Sequence, residues 1–159
     1  MTTYTSSAAV TTYPIQGGEA GNVKVAYGSI LVPIAATPEA ADTFEFVRLP
    51  AGAVVVDGVF YGGLLDDDGT PEIDLDIGWA ANGVETADTD GFGNFGPTSF
   101  AAVADYKPEA DWFRYPFGNA LKDGPKAFTN ETVLTATCVA VAESAAEATM
   151  TMVVRYVVP

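Results

Sequence analysis

Two runs of alternating side chains constrain this chain most: EIDLDIGW at 72–79 and TMTMVVRYVV at 149–158. Successive residues of a β-strand face opposite sides, so a period of two sorts each run into an inner and an outer face. In the first run Ile73, Leu75, Ile77 and Trp79 share the inner side, and Glu72, Asp74 and Asp76 take a solvated outer side. In the second, Met150, Met152, Val154, Tyr156 and Val158 form a core face while Thr149, Thr151 and Arg155 point outward.

Other segments repeat the β signal. Val23–Val32 (VKVAYGSILV) is rich in branched residues, and Thr43–Arg48 (TFEFVR) alternates with Phe44 and Phe46 on one face. Ala53–Tyr61 (AVVVDGVFY) is apolar on both faces apart from Asp57. Such a strand is either covered on two sides or forms one side of an interface between chains. Glu131–Ala142 and Thr149–Val158 read as a hairpin joined by an irregular loop at ESAAEA, which is too short for a free-standing helix. Residues 80–98, with four glycines, and 118–130 read as loops; AAVADY reads as a helical turn and DWFRYPF as a short aromatic strand or loop. Residues 1–22, rich in Thr, Ser, Gly and Ala, read as an extended arm. The expectation is therefore an all-β, single-domain β-sandwich or jelly roll at 23–159, with an N-terminal arm at 1–22.

Charge narrows the function. The chain has 159 residues, 48% of them apolar, and a formal net charge of −14 from 21 acidic and 7 basic residues. Nucleic acid presents dense phosphate and needs clustered Lys and Arg, whereas these bases are scattered, so direct nucleic-acid binding and adhesion to an anionic membrane are not expected. MTTYTSSAAV has neither the positive start nor the apolar core of a secretion signal, and no apolar run approaches a membrane span. With no histidine, Ser-His-Asp and Cys-His nucleophile activation and ordinary His-containing zinc sites are excluded. The single Cys138, in the apolar run LTATCVAVA, cannot form an internal disulfide and reads as a buried, inert side chain.

The acidic stretch LLDDDGTPEIDLDIGW at 64–79 is the first candidate for chemistry. Asp66-Asp67-Asp68-Gly69, followed by Thr70-Pro71, has the residues of a tight turn. Its six carboxylates thus divide between a turn and an outer strand face. An EF-hand loop does not fit: aligned on Asp68-Gly69 it puts Leu64 first and Leu75 twelfth, and aligned on Asp90-Gly91 it puts Thr86 first. An irregular calcium site at Asp66–Asp68 or at Asp88 and Asp90 stays open, because calcium asks only for convergent oxygens. A glycosidase pair would need two carboxylates singled out by spacing and solvation, and nothing selects two from 21. No cofactor is expected. A third candidate is aromatic: Phe92, Phe95, Phe100, Tyr106, Trp112, Phe113, Tyr115 and Phe117 crowd a loop-like region. These rings either cap an open end of the sandwich, meet another protein or stack on sugars.

LPAGAVVVDGVFYGGLLDDDGTPEIDLDIGW (49–79) and ETVLTATCVAVAESAAEATMTMVVRYVV (131–158) resemble the capsid decoration, or cement, proteins of tailed bacteriophages. The shared pattern is an LP-x-G turn, an apolar strand, an acidic turn, an alternating strand ending near D-x-G and a last strand ending aromatic-Val-Val. The resemblance implies a β-sandwich or jelly roll that is often trimeric, made in the host cytoplasm and bound to the major capsid protein on the outside of the virion head. It implies no active site. The contact surfaces expected on that reading are Tyr4 and Tyr13 of the arm, Val55, Val59 and Tyr61 of the two-faced strand, and Trp112, Phe113, Tyr115 and Phe117 of the aromatic segment. Two alternatives come from other classes. One is a carbohydrate- or receptor-binding module of a tail or fibre, with Trp112, Tyr115 and Phe117 as stacking platform; the other is a small two-carboxylate hydrolase.

Overall fold

The computed structural model describes residues 1–10, 22–33, 38–63, 73–95, 113–141 and 147–159. In chain order they form β1 (Thr3–Thr5), a single helical turn α1 (Ser7–Val10), β2 (Lys24–Val32), β3 (Thr43–Leu49), β4 (Val54–Gly62), β5 (Asp74–Trp79), β6 (Asp88–Phe95), β7 (Phe113–Pro116), a 3₁₀ turn (Asn119–Leu121), β8 (Lys126–Ala127), β9 (Thr132–Ala140) and β10 (Ala148–Val157). The strands build two sheets, as the alternation requires. The first has the order β1-β3-β9-β5-β6; the second has β2-β10-β4-β7, with β8 also paired to β4. The fold is an all-β sandwich.

Alternation places the core between the sheets. Phe44, Phe46, Leu49 and Ile77 enter it from the first sheet, and Phe60, Met150, Met152 and Val154 from the second. Phe46 and Phe60 meet edge to face across the interior, with ring centroids 5.4 Å apart, a favoured aromatic geometry. The inner sets of 73–79 and 149–158 lie as their period of two dictates: Ile73, Leu75, Ile77, Trp79, Met150, Met152, Val154 and Tyr156 are all buried, and Val158 packs half-buried against them.

Two expectations need correction. First, β9 and β10 are not a hairpin. β9 pairs with β3 and β5 in one sheet, while β10 pairs with β2 and β4 in the other. Each run carries a core face, and the two faces meet the same interior from opposite sides. Second, the glycine-rich stretch 80–98 contains a strand. β6 pairs antiparallel with β5 and forms the hairpin that β9 and β10 do not. Its glycines are there for room: a Cβ at Gly91 would run into the Trp79 ring. The start of the N-terminal arm is anchored to the sandwich. β1 pairs parallel with β3, Tyr4 opposite Phe44. The Ser6 amide donates to the Glu45 carbonyl (2.7 Å), the Ser6 hydroxyl donates to the Phe46 carbonyl, and Ala9 is fully buried. Arg48 donates to the Ala9 carbonyl (2.6 Å) and pairs with Glu131 (2.9 Å).

Candidate docking faces

Each sheet also presents an outer face, and the two differ chemically. On the second sheet, burial of Ala26, Ile30 and Val32 turns Val25, Tyr27, Ser29 and Leu31 outward. Val25, Tyr27 and Leu31 are 54%, 55% and 57% exposed, which is unusual for three large apolar side chains in one strand. The strand register extends this patch across the sheet. One row reads Tyr27, Val153, Val59, Pro116, and the next reads Ser29, Thr151, Tyr61, Arg114. A third reads Val25, Arg155, Asp57. Directly opposed side chains lie about 5 Å apart, so the rows are contiguous. Ser29 and Thr151 share a hydroxyl hydrogen bond (2.7 Å), and Arg155 holds Asp57 (2.6 Å).

The first sheet faces outward with acids. Glu45, Asp74 and Asp76 stand on its strands with Val139, and Asp88 and Asp90 follow in β6. The outer face of β5 is less solvated than its alternation implies. Asp74 and Asp76 are half-buried, and one oxygen of each (Oδ1) is out of water with no hydrogen-bond partner. Burial raises the pKa of both carboxyls; for Asp76 the charges of Asp74 and Asp90 add to it, against a hydrogen bond from Thr89. Asp88 is raised too, by burial and then by its hydrogen bond with Asp90 and that group's charge. Among the described residues, no group of three or more His, Cys, Asp or Glu side chains is placed to hold a metal ion. Asp66–Asp68 lie outside the described residues.

Two other acids are structural clamps. Glu85 Oε1 accepts from the Thr129 amide (2.9 Å), and this bond, with another from Asn82, holds its pKa down to about 2. Asn82 accepts in turn from the Val84 and Glu85 amides, which fixes the turn between β5 and β6. At Asp42 burial pushes upward, but bonds from the Glu39 and Thr2 amides outweigh it and hold the carboxyl below its ordinary range. Cys138 is buried, and its thiol is pushed up to about 11 by burial and by the charges of Asp42 and Asp74. It carries no appreciable thiolate near neutral pH.

The expected contact residues divide. Val59 and Tyr61 lie on the outer face of the second sheet. Val55, Tyr115 and Phe117 belong to the core instead: alternation in β7 turns the two rings inward, and a register shift opposite Arg155 and Tyr156 breaks the alternation of β4 and turns Val55 inward. Phe117 stacks on Phe92 (4.6 Å) and Tyr115 on Phe95 (4.3 Å), so this part of the aromatic group fills the sandwich. Trp79 joins it edge-on to Phe92 and Phe128, under the Lys126 ammonium at 4.5 Å. Tyr4 stacks on Phe44 (4.9 Å). Phe113 opens β7; Tyr13 and Trp112 lie outside the described residues. A sugar platform of Trp112, Tyr115 and Phe117 is thereby undone, since two of its three rings are inside. The sequence reading missed Val25, Tyr27, Leu31 and Val153. Their signal was the one that marked 53–61: both alternating sets of VKVAYGSILV are largely apolar.

No protein-family model matches the sequence, and no curated protein matches it. Solved structures do. The fold is similar to a chain of the cyanophage Pam1 capsid asymmetric unit, at 24% identity and a TM-score of 0.69, covering 96% of each chain. A chain of the capsid of Ralstonia phage GP4 matches at 18% identity and a TM-score of 0.70, over 99% of this chain and 98% of that one. A chain of the acidic stable capsid structure of Helicobacter pylori bacteriophage KHP30 matches at 16% and 0.56, over 89% and 91%. At these identities the likeness establishes a shared fold.

Proposed function

We propose that this protein is a non-enzymatic structural protein of a bacteriophage virion, a decoration protein that binds the outside of the head and reinforces it. The observation that carries the reading is end-to-end fold similarity to chains of phage capsids, two of which it matches over at least 96% of both partners. The likeness spans nearly the whole of each matched chain. The interleaved strand order, with β2-β10-β4-β7 facing β3-β9-β5-β6, supports the jelly-roll form of the sandwich. A net charge of −14 favours the exterior of a shell over its DNA-filled interior, and speaks against direct contact with nucleic acid. Its partner on this reading is the major capsid protein, and its solution form a homotrimer. Reinforcement needs no catalysis: a protein that binds only the assembled lattice stabilises it by mass action.

The test is reconstitution. Heads from a phage in which this gene is deleted are expected to bind the purified protein and to gain resistance to heat and chelators. Cryo-EM of the decorated heads should show density outside the shell. Absence of binding, with the protein found nowhere on the intact particle, overturns the reading.

A further inference from the structure

We infer that the protein docks through the outer face of its second sheet, onto a protein surface with an apolar centre and a carboxylate rim. The inference rests on the virion reading above and names the surface and partner chemistry that reading leaves open. Two independent properties fall on this one face. It exposes Val25, Tyr27 and Leu31 beside Val153, Val59 and Tyr61, a contiguous apolar patch of the kind that marks an interaction site. The same face also inverts the charge of the chain. Arg114 and Arg155 stand on it, and among the described residues Asp57, which Arg155 already holds, is the one carboxylate on its strands. On a chain with 21 acids and 7 bases, this is the reverse of what chance placement gives.

The first sheet's strands carry the opposite balance, with Glu45, Asp74, Asp76, Asp88 and Asp90 against Arg48. An acidic-rimmed partner is therefore attracted to one side of the sandwich and repelled from the other, which fixes orientation as well as place. Tyr27 and Tyr61 fit such a contact, since Tyr supplies large area with few rotamers and a polar tip for the wet rim. Arg114, at the margin, supplies the charge attraction.

The experiment uses the full chain and heads from the gene-deleted phage. Tyr27→Asp and Leu31→Asp place a carboxylate inside the contact; Arg114→Glu reverses a rim charge; Val139→Asp is the control on the first sheet. Circular dichroism melts establish that each variant folds. Wild type should bind, Tyr27→Asp and Leu31→Asp should bind about thirtyfold more weakly or worse, and Val139→Asp should stay within about threefold of wild type. Arg114→Glu should weaken binding at low salt and converge on wild type as salt rises. Hydrogen exchange of bound wild type, which needs no variant, should slow in β2 and β10. If wild type binds but the second-sheet variants match it, or exchange slows in β5 and β6 instead, this inference is overturned and the virion reading stands. If Leu31→Asp merely dissociates an oligomer in sedimentation and still decorates heads, the face belongs to a second copy and the inference falls. If wild type does not bind heads at all, the virion reading fails first and takes this inference with it.

Discussion

Replacing Gly58 by alanine separates a core role for the aromatic segment from a contact role. Gly58 lies on the inner side of β4, and a Cβ built there runs into three atoms of the Phe117 ring. The Phe117 amide donates to the Gly58 carbonyl (2.8 Å), so the two backbones are tied and the ring has little room to retreat. Behind it lies Phe92, stacked at 4.6 Å. Alanine in place of a strand glycine gains about 0.5–1 kcal/mol from the smaller freedom of the unfolded chain. Overpacking costs about 1–3 kcal/mol, so Gly58→Ala alone should destabilise by up to about 2 kcal/mol. Phe117→Ala empties a buried aromatic site and should cost about 3–5 kcal/mol. In that background the clash is gone while the entropy gain remains, so Gly58→Ala should turn neutral or stabilising. The reversal of sign amounts to a coupling of about 1–3 kcal/mol between the two positions. Urea unfolding of the four proteins, followed by circular dichroism, measures it. The reasoning is refuted if Phe117→Ala costs less than about 1 kcal/mol, or if alanine at 58 costs the same with and without the ring.

Stability should peak in mild acid. The raised carboxyls of Asp74, Asp76 and Asp88 bind more protons folded than unfolded, so they add stability as pH falls from neutral towards the ordinary carboxylate value. The depressed Asp42 and Glu85 act oppositely: their contribution is present above that value and is lost as pH falls through their folded pKa, about 2 for Glu85. Melting temperatures that only decline from pH 7 to 4 contradict this, and Asp74→Asn with Asp76→Asn should flatten the rise. At the N-terminus, Tyr4→Ala should lose about 1 kcal/mol, the ring contact on Phe44, and speed hydrogen exchange at the Ser6 amide; unchanged exchange argues against the β1–β3 ladder. Lys126→Met should shift Trp79 emission by removing the ammonium 4.5 Å above its ring, with β-sheet content retained.

The fold class was legible because alternation is a local signal, and it was strongest where a strand has one wet face. Met150, Met152, Val154 and Tyr156 followed it without exception. Sheet membership was not legible. β9 and β10 have complementary apolar faces and are close in sequence, which describes a hairpin and a sheet-to-sheet crossover equally well. β6 was hidden because Asp and Gly disfavour strands in general; here Gly91 is kept by the Trp79 ring, a contact set by tertiary packing. The candidate site was half legible. Two-faced apolarity in β4 pointed to Val59 and Tyr61, yet the same run contains Val55, and only the register decides which way each side chain turns. The aromatic crowding at 92–117 was a true signal of something covered; Phe92 and Phe117 stack on each other and Tyr115 on Phe95, inside the sandwich.

Placement of charge links the fold to the proposed role. A sandwich has two outer faces, and a protein meant to bind an extended shell on one side must keep the other from binding anything. On that reading the carboxylates at Glu45, Asp74 and Asp76 do so on the first sheet. The cost is visible in the two Oδ1 atoms left without partners, a strain tolerated where packing alone would have removed the charge. On the second sheet the cost runs the other way. An edge strand with Val25, Tyr27 and Leu31 exposed invites unwanted pairing, and edge strands not used for binding are normally blunted with charge or proline. Only Lys24 guards β2, at its first residue. A strand left so bare on a chain otherwise dense in acid is accounted for if something covers it in the assembled particle.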